Sequence, residues 1–251
     1  MSHISKIEQG AVIGAGTTLG DNCYIGADVT IGEQNHIGSS VVIVGTTTIG
    51  DYNTIDSDTV LGSVAQDLGA NEKDGVLTIG NHNSIGSKVL INIGTTGGNG
   101  ITKIGNNNIL MNNVHIGHDI KVGDRCQLDS SSIFAGHVHI DDYAIISAKA
   151  SVHQFVTIGR RAKLESSSAL TQDLPPYCIA KGNRAKIIGL NTETDVELKM
   201  VYQNIFEKSG SVKEIAKSMM SVVDTKNARE MCSFILESKR GIPFKKEINV
   251  D

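Results

Sequence analysis

A six-residue repeat runs through most of the chain and constrains its fold more than any other feature. An apolar side chain, often followed by glycine, recurs at every sixth position in three runs. The anchors are Ile13, Leu19, Ile25, Ile31, Ile37, Ile43, Ile49, Ile55 and Leu61, then Ile79, Ile85 and Ile91, and finally Ile104, Leu110, Ile116, Val122, Leu128, Phe134, Ile140, Ile146, Val152, Ile158, Leu164 and Leu170. Neither an α-helix nor a simple alternating strand has this period. Six-residue repeats indicate a parallel β-helix, in which each repeat supplies one short strand.

The residues between the anchors fit a narrow interior. Two positions before most anchors of the last run the side chain is small, as at Cys126, Ser132, Val138, Ala144, Ala150, Ala162 and Ser168. A thin core with two inward positions per repeat requires such volumes. The 27 glycines and the lack of tryptophan suit tight corners around a slim interior.

Charge and cysteine content limit the functional class. The formal net charge is −4 and no basic stripe is visible, so nucleic-acid binding is not expected. Cys23 and Cys126 fall at the small inward position, and Cys178 and Cys232 lack metal-ligand spacing. We therefore expect a reduced, cytoplasmic protein rather than a disulfide framework. No signal peptide or transmembrane segment is expected, because no apolar run is long enough.

Two interruptions and a C-terminal tail complete the organisation. The repeat breaks over Gly62–Thr78 and again over Gly94–Gly100. In a solenoid such insertions project from one face and often build a binding site, although tolerated surface decoration is the alternative. We expect Pro175 and Pro176 to end the coil.

Beyond that point apolar residues take helical spacing. We expect a mainly β chain, with a parallel β-helix over 1–190 and a small α-helical C-terminal domain over 191–251. Ser211 is predicted to cap the second helix. A tail of this size builds little core of its own, so it is expected to pack against the β-helix or neighbouring subunits.

Candidate catalytic residues follow from the repeat. If three repeats make one coil, residues that lie three repeats apart stack along one edge of a prism. His118, Gly136 and Gln154 have this spacing, and His137 and His153 lie beside them. Because adjacent strands are about 4.8 Å apart, these groups would line a single groove. The alternative is that the histidines are ordinary exposed corner residues.

The residue types in this groove suit acyl transfer. Asp119 can orient the His118 ring and stabilise its imidazolium, which suits a general base. Gly136 offers an unobstructed backbone N–H to an oxyanion formed at a thioester carbonyl. A histidine-rich edge can also bind metal, but no cysteine joins it and stacked coils do not give tetrahedral geometry. We therefore predict no metal site.

Several segments resemble one known family. They are Ala65–Leu68, His115–Asp119, Ala135–Val138, Val152–Phe155, Gln172–Tyr177 and Gly182–Ala185. They look like the acyl-carrier-protein-dependent UDP-N-acetylglucosamine O-acyltransferases, which catalyse the first step of lipid A synthesis. The resemblance extends to Glu237–Gly241 and so covers nearly the whole chain.

The resemblance implies a left-handed β-helix with three repeats per coil, a homotrimer with active sites between subunits, and a helical tail that contacts acyl carrier protein. It implies transfer of an acyl chain, such as 3-hydroxyacyl, to the 3-hydroxyl or 3-amino group of a UDP-N-acetylglucosamine-type sugar, without a cofactor. His118 would be the base, Asp119 its partner and Gly136 the oxyanion donor. The substrate-binding residues would be Gln66, Asp67, His115, His137, His153, Gln154, Ser166, Asn191 and Glu193. Among these, Ser166 would limit chain length, and Asn191 and Glu193 would contact the nucleoside.

The sequence also departs from the family pattern. Gly69 stands where the family typically has a lysine, and Glu197 and Leu198 stand where it commonly has two basic residues. A pyrophosphate needs cationic donors, so these changes disfavour the usual acceptor. Two alternatives therefore stay open: a paralogue that acylates another acceptor or uses a shorter acyl-CoA donor, and a binding module whose catalysis has decayed.

Overall fold

The computed structural model describes residues 4–70, 75–191, 195–207 and 210–244. Over these ranges the chain forms 27 short strands and three helices. The first thirteen strands are β1 (Lys6–Ile7), β2 (Val12–Ile13), β3 (Thr18–Leu19), β4 (Tyr24–Ile25), β5 (Val29–Ile31), β6 (His36–Ile37), β7 (Val42–Ile43), β8 (Thr46–Ile49), β9 (Thr54–Ile55), β10 (Val60–Ser63), β11 (Val76–Ile79), β12 (Ser84–Ile85) and β13 (Leu90–Asn92). The others are β14 (Ile101–Ile104), β15 (Ile109–Leu110), β16 (His115–Ile116), β17 (Lys121–Val122), β18 (Gln127–Leu128), β19 (Ile133–Phe134), β20 (His139–Ile140), β21 (Ile145–Ile146), β22 (Ser151–Val152), β23 (Thr157–Ile158), β24 (Lys163–Leu164), β25 (Ala169–Leu170), β26 (Cys178–Lys181) and β27 (Lys186–Leu190).

Every third strand joins the same sheet. The first sheet runs β1-β4-β7 and onward to β25, the second runs from β2 to β23, and the third from β3 to β24, followed by β26 and β27. His115 pairs with Ile133, and Ile133 with Ser151, so one regular coil takes three of the six-residue repeats. The prediction of a left-handed parallel β-helix with three strands per coil is confirmed.

The anchors of the repeat fill the interior. Ile116, Phe134 and Val152, one above another, are fully or almost fully buried. The small inward positions are buried too, including Cys23 and Cys126, as predicted. A ladder of buried asparagines also runs up the interior, in which each side-chain oxygen accepts from the backbone N–H one coil further on. This satisfies polar groups that would otherwise destabilise the core.

Both insertions leave the β-helix at one edge, between the first and second sheets, which we call the first edge. Val60 pairs with Leu90, and Leu90 pairs with His115, so each of these two coils is longer than a regular one. The extra residues lie between β10 and β11 and between β13 and β14. Residues 71–74 of the first insertion lie outside the described ranges.

The proline pair does not end the coil, contrary to the prediction. Leu174 bridges to Ile158, and β26 continues the third sheet by pairing with β24 before β27 folds back antiparallel to it. The prolines fit because they lie at a corner. Pro176 packs directly against Gly159, where an added Cβ would lie 2.5 Å from the proline ring.

Three helices follow: α1 (Val196–Phe206), α2 (Val212–Met219) and α3 (Lys226–Glu237). Ser211 caps α2, as predicted, by accepting from the Glu214 N–H at 3.5 Å. Arg160 of the β-helix pairs with Glu230 of α3 at 3.0 Å, so the helices pack against the prism. No helix among the described residues has both the length and the apolar character needed to span a membrane.

Candidate active site

The first edge brings together the residues predicted to be catalytic. Going up the edge, successive corners carry His118 and Asp119, then Gly136 and His137, then His153 and Gln154. Asp119 and His137 have φ angles of 57° and 63° and turn the chain from the first sheet into the second. Short polar residues tolerate this left-handed conformation better than branched ones do. The structure thus confirms that these six residues share one edge.

Asp119 lies at the centre of a dense hydrogen-bond network. His118 Nδ1 is 2.9 Å from Asp119 Oδ2, and both residues are buried, with 6% and 3% of their surface exposed. Thr95 donates to the carboxylate through its hydroxyl at 2.7 Å and its backbone N–H at 3.1 Å, and Gly100 donates its N–H at 2.9 Å. The second insertion therefore wraps around the carboxylate.

This network sets the charge of the carboxylate. Burial by itself would raise the pKa of Asp119, but the hydrogen bonds from His118 and Thr95 outweigh it and leave the pKa lowered. Asp119 is therefore ionised at neutral pH and can only accept hydrogen bonds. His118 Nδ1 must then carry a proton.

The second insertion can approach Asp119 because of a glycine. A Cβ placed on Gly98 would lie 2.4 Å from the Asp119 carboxylate. The sequence predicts a possible binding loop at Gly94–Gly100, but nothing in it indicates that Thr95, Gly98 and Gly100 surround the carboxylate that pairs with His118. That role depends on the path of the loop, which the repeat does not determine.

Gly136 lies directly against the other nitrogen of His118. A Cβ added at Gly136 would lie 2.5 Å from both Cε1 and Nε2 of that ring. Only glycine leaves room for a reactant beside Nε2. Within the described ranges, the Gly136 backbone N–H has no hydrogen-bond acceptor, whereas the next N–H, of His137, donates to the His118 carbonyl at 3.0 Å.

His137 borders the His118–Asp119 pair. Its ring stands edge-on to His118, with the centroids 5.0 Å apart, and stacks face to face on Phe155 at 4.5 Å. His118, Asp119 and His137 each offer a ligand atom within 4.8 Å of the others, which is the spacing of a possible metal site. However, both Asp119 oxygens already accept hydrogen bonds from Thr95, Gly100 and His118, so the carboxylate has little capacity left for an ion.

Other predicted residues lie near this cluster or in line with it. Gln66 and Asp67 are exposed on the first insertion, where the Asp67 side chain accepts from the Gly69 N–H at 3.1 Å. His115 is half-buried on β16, and burial lowers its pKa. His153 and Gln154 are exposed one coil above Gly136 and His137.

Two predicted residues lie at the other edges of the same chain. Ser166 is exposed at the corner between the third and first sheets. Asn191 lies near the corner between the second and third sheets, where its side chain donates to the Arg161 carbonyl at 2.9 Å. Neither is brought to His118 within one chain. Glu193 lies outside the described residues.

Glu197 and Leu198, two of the departures from the family pattern, have structural roles. Leu198 is fully buried among the helices. The Glu197 carboxylate accepts from the backbone N–H groups of Asp224 and Thr225, at 2.9 and 2.7 Å, just before α3 begins. Both residues therefore stabilise the packing of the three helices.

Family models match both the β-helix and the helical part of the chain. The model described as bacterial transferase hexapeptide (six repeats) matches residues 4–33 and 101–136. The model described as UDP N-acetylglucosamine O-acyltransferase, domain 2, matches residues 173–243, which include the three helices.

The sequence is also similar to individual enzymes over most of its length. The acyl-[acyl-carrier-protein]–UDP-N-acetylglucosamine O-acyltransferase of Nautilia profundicola is 42% identical over 202 residues, covering 76% of this chain and 78% of that protein. The enzyme of the same name from Aliarcobacter butzleri is 38% identical over 201 residues, covering 76% of this chain and 77% of that protein.

Solved structures agree with the sequence comparisons. The UDP-N-acetylglucosamine acyltransferase from Campylobacter jejuni superposes with a TM-score of 0.91 at 35% identity, covering 96% of this chain and 98% of that one. The enzyme from Bacteroides fragilis gives a TM-score of 0.91 at 30% identity, covering 96% and 99% of the two chains. The predicted resemblance is thus confirmed, and the chain belongs to the acyl-[acyl-carrier-protein]–UDP-N-acetylglucosamine O-acyltransferase family and is an acyltransferase.

Proposed function

We propose that this protein moves an acyl chain, such as 3-hydroxyacyl, from acyl carrier protein to the 3-hydroxyl or 3-amino group of a UDP-N-acetylglucosamine-type sugar, the first step of lipid A synthesis. The names of its sequence relatives specify this donor and acceptor. The observation that carries the proposal is the buried His118–Asp119 pair with Gly136 against its free nitrogen. This arrangement is suited to removing a proton from a nucleophile beside a thioester.

His118 is the general base. Because ionised Asp119 accepts from Nδ1, the neutral ring has its lone pair on Nε2. Nε2 takes the proton of the acceptor hydroxyl or amine as that atom attacks the thioester carbonyl carbon. Asp119 stabilises the imidazolium that forms, and the imidazolium then returns the proton to the departing thiolate.

Gly136 is the oxyanion donor. Attack on the thioester places negative charge on the carbonyl oxygen, and a free backbone N–H beside the base can stabilise it. The N–H of Gly136 meets this requirement because it has no acceptor in the described ranges and belongs to the glycine that packs against Nε2 of His118.

The remaining predicted residues are proposed as substrate contacts. Gln66, Asp67, His137, His153 and Gln154 lie along or beside the first edge, where the sugar and the acyl group would sit. His115, on the strand that enters this edge, is assigned there as well.

Residues from other edges can join the site only from a neighbouring subunit. A homotrimer with sites between subunits would bring Ser166 and Asn191 to the first edge of a neighbouring chain. All four cysteines are buried and unpaired, which supports action in a reducing, cytoplasmic compartment.

The intact site argues against a decayed binding module. The proposed base, its partner and the proposed oxyanion donor lie together at one corner of the coil, which supports retained catalysis. Because Glu197 and Leu198 hold the helices together, cations for the acceptor's diphosphate must come from other positions.

A transfer assay tests the proposal. Purified protein is mixed with UDP-N-acetylglucosamine or its 3-amino analogue as the acceptor. The donors are acyl carrier protein thioesters of several chain lengths and, separately, the matching acyl-CoA. The nucleotide sugar is then analysed by mass spectrometry. Acylated product from a carrier-protein donor supports the proposal and gives the chain length. Product from acyl-CoA alone, or no product from correctly folded protein, would overturn it.

A further inference from the structure

The segment after α3 returns to the first edge and is fixed there by a buried carboxylate. Asp173 is 3% exposed, and its Oδ2 accepts from the Ser238 hydroxyl at 2.7 Å and from the Arg240 backbone N–H at 3.2 Å. Its own N–H donates to the Gly241 carbonyl at 2.9 Å. Residues 238–241 are therefore tied to the coil directly above His153.

This anchoring places the Arg240 guanidinium beside a proposed substrate-binding histidine. Arg240 Nη2 lies 3.3 Å from His153 Nδ1 and 3.1 Å from the Thr171 carbonyl, to which Nε also donates at 3.3 Å. In the part of the chain that the structure describes, no carboxylate lies within ion-pairing distance of this guanidinium. Its contacts on the first edge are thus with a carbonyl and a ring nitrogen.

The chemistry of the two groups determines where the proton of His153 lies. A guanidinium has only N–H donors and is always protonated. His153 Nδ1 must accept this hydrogen bond, so a neutral ring carries its proton on Nε2. The two nitrogens face opposite sides of the ring, and the Nε2–H is therefore directed away from Arg240.

We propose that Arg240 is a positioning residue that holds His153 in the Nε2–H tautomer, so that this exposed ring presents a hydrogen-bond donor to an oxygen of the bound substrate. The inference rests on the proposed function, since it assumes that substrate occupies the first edge. It gives the two histidines opposite tautomers. Asp119 keeps the proton of His118 on Nδ1 and leaves a base, whereas Arg240 keeps that of His153 on Nε2 and leaves a donor.

Tautomer can be measured without substrate. Long-range ¹⁵N–¹H correlation spectra of the histidine rings distinguish the two neutral forms, and His153→Gln assigns the signals. The wild-type protein should show His153 protonated at Nε2, and Arg240→Met should shift the ring toward a mixture of both forms. A wild-type His153 protonated at Nδ1 would overturn the inference, whatever the outcome of the transfer assay.

Kinetics then separate the hydrogen bond from the charge. Arg240→Met should lower kcat about tenfold, the effect of one lost hydrogen bond to a charged group, with a smaller change in KM. Arg240→Gln keeps an N–H donor without the charge and should restore most of kcat. If Arg240→Gln has the low kcat of Arg240→Met while Arg240→Lys has nearly the wild-type kcat, the side chain acts through its charge on an anionic ligand. The tautomer inference is then wrong.

Arg229→Met is the matched control. Arg229 also donates from its guanidinium to a backbone carbonyl, that of Val223 at 2.9 Å, but this contact lies within the helical domain. The variant should retain the wild-type kcat and the wild-type His153 tautomer. A change in either as large as that in Arg240→Met would show that the helical domain is only being loosened, and would contradict a specific role for Arg240.

Discussion

Replacing Asp119 by asparagine separates the chemical role of this residue from its structural role. The carboxylate accepts from four donors: the His118 ring, the Thr95 hydroxyl, and the backbone N–H groups of Thr95 and Gly100. An amide has one oxygen to accept and one NH₂ that must donate. The two backbone N–H groups cannot become acceptors, whereas the hydroxyl and the imidazole can.

The asparagine should therefore turn its oxygen toward the backbone of the second insertion and its NH₂ toward His118. His118 would then accept at Nδ1 and carry its proton on Nε2, where it can no longer act as a base. General-base catalysis is worth about 10²–10⁴ in rate, so Asp119→Asn should lose that much kcat. The loop keeps its backbone hydrogen bonds, so the free energy of unfolding should fall by only about 1 kcal/mol.

Asp119→Ala removes both roles. The buried Thr95 N–H then loses its acceptor, at about 1–3 kcal/mol, whereas the Gly100 N–H keeps the Thr95 carbonyl as an acceptor at 3.1 Å. The loop should open locally, and hydrogen exchange should rise by at least about tenfold at the Thr95 amide and by less at the Gly100 amide. The same amides should stay protected in Asp119→Asn.

The assays are steady-state kinetics and residue-resolved hydrogen exchange on both variants. Asp141→Asn is the matched control, because Asp141 also pairs with a histidine, His139, at 2.9 Å, but in a partly exposed position away from the first edge. It should leave kcat and amide protection unchanged. Wild-type kcat in Asp119→Asn would refute the tautomer argument, and unprotected amides at Thr95 and Gly100 in that variant would refute the predicted amide orientation.

Three further predictions concern the same edge. Gly136→Ala places a methyl group 2.5 Å from His118 Nε2 and should lower kcat by about 10²-fold or more. Gly189→Ala is the control, because a Cβ there meets nothing within 4 Å, and it should keep the wild-type kcat. Equal kcat values for the two variants would contradict the role proposed for Gly136. Gly98→Ala forces the second insertion off Asp119 and should reduce both kcat and the protection of the Thr95 amide, which donates to the Asp119 carboxylate. Normal protection of this amide would show that the loop can yield without leaving the carboxylate. Folding lowers the pKa of Asp119, so the ionised carboxylate stabilises the fold above the ordinary aspartate pKa of about 3.9, and this stabilisation is lost as pH falls through the folded pKa. The free energies of unfolding of wild type and Asp119→Ala, measured with denaturant, should therefore converge on acidification. A difference that stays constant with pH would refute the lowered pKa.

The repeat explains why so much of the site could be predicted. With three strands per coil, residues that lie three repeats apart must stack, so His118, Gly136 and Gln154 had to share an edge once the fold was known. The same arithmetic puts Ser166 on a different edge. Ser166 can therefore contact substrate only if a second subunit packs against the first edge, and the sequence of one chain does not specify that packing.

Loops and helix packing could not be predicted in the same way. The glycines of the second insertion suggested a binding loop, but only its folded path shows that Thr95 and Gly100 donate to Asp119. A family pattern carries no information on burial, so from the sequence alone Glu197 and Leu198 look like lost substrate contacts. In the structure one caps a chain segment and the other fills the helical core.

The prolines give a further example. A proline pair usually ends regular structure because each residue lacks an N–H donor. At a β-helix corner no strand hydrogen bond is needed, so Pro175 and Pro176 can be accommodated, and β26 resumes the third sheet beyond them.

The measurement that tests the central claim most directly is single-turnover transfer by wild type and His118→Ala, using acyl carrier protein thioester and UDP-N-acetylglucosamine, with light scattering to compare their assembly. Mass spectrometry of the nucleotide sugar follows the product. If His118 is the base, the variant should assemble like the wild type but transfer about two to four orders of magnitude more slowly. Near-normal transfer by His118→Ala would contradict the account.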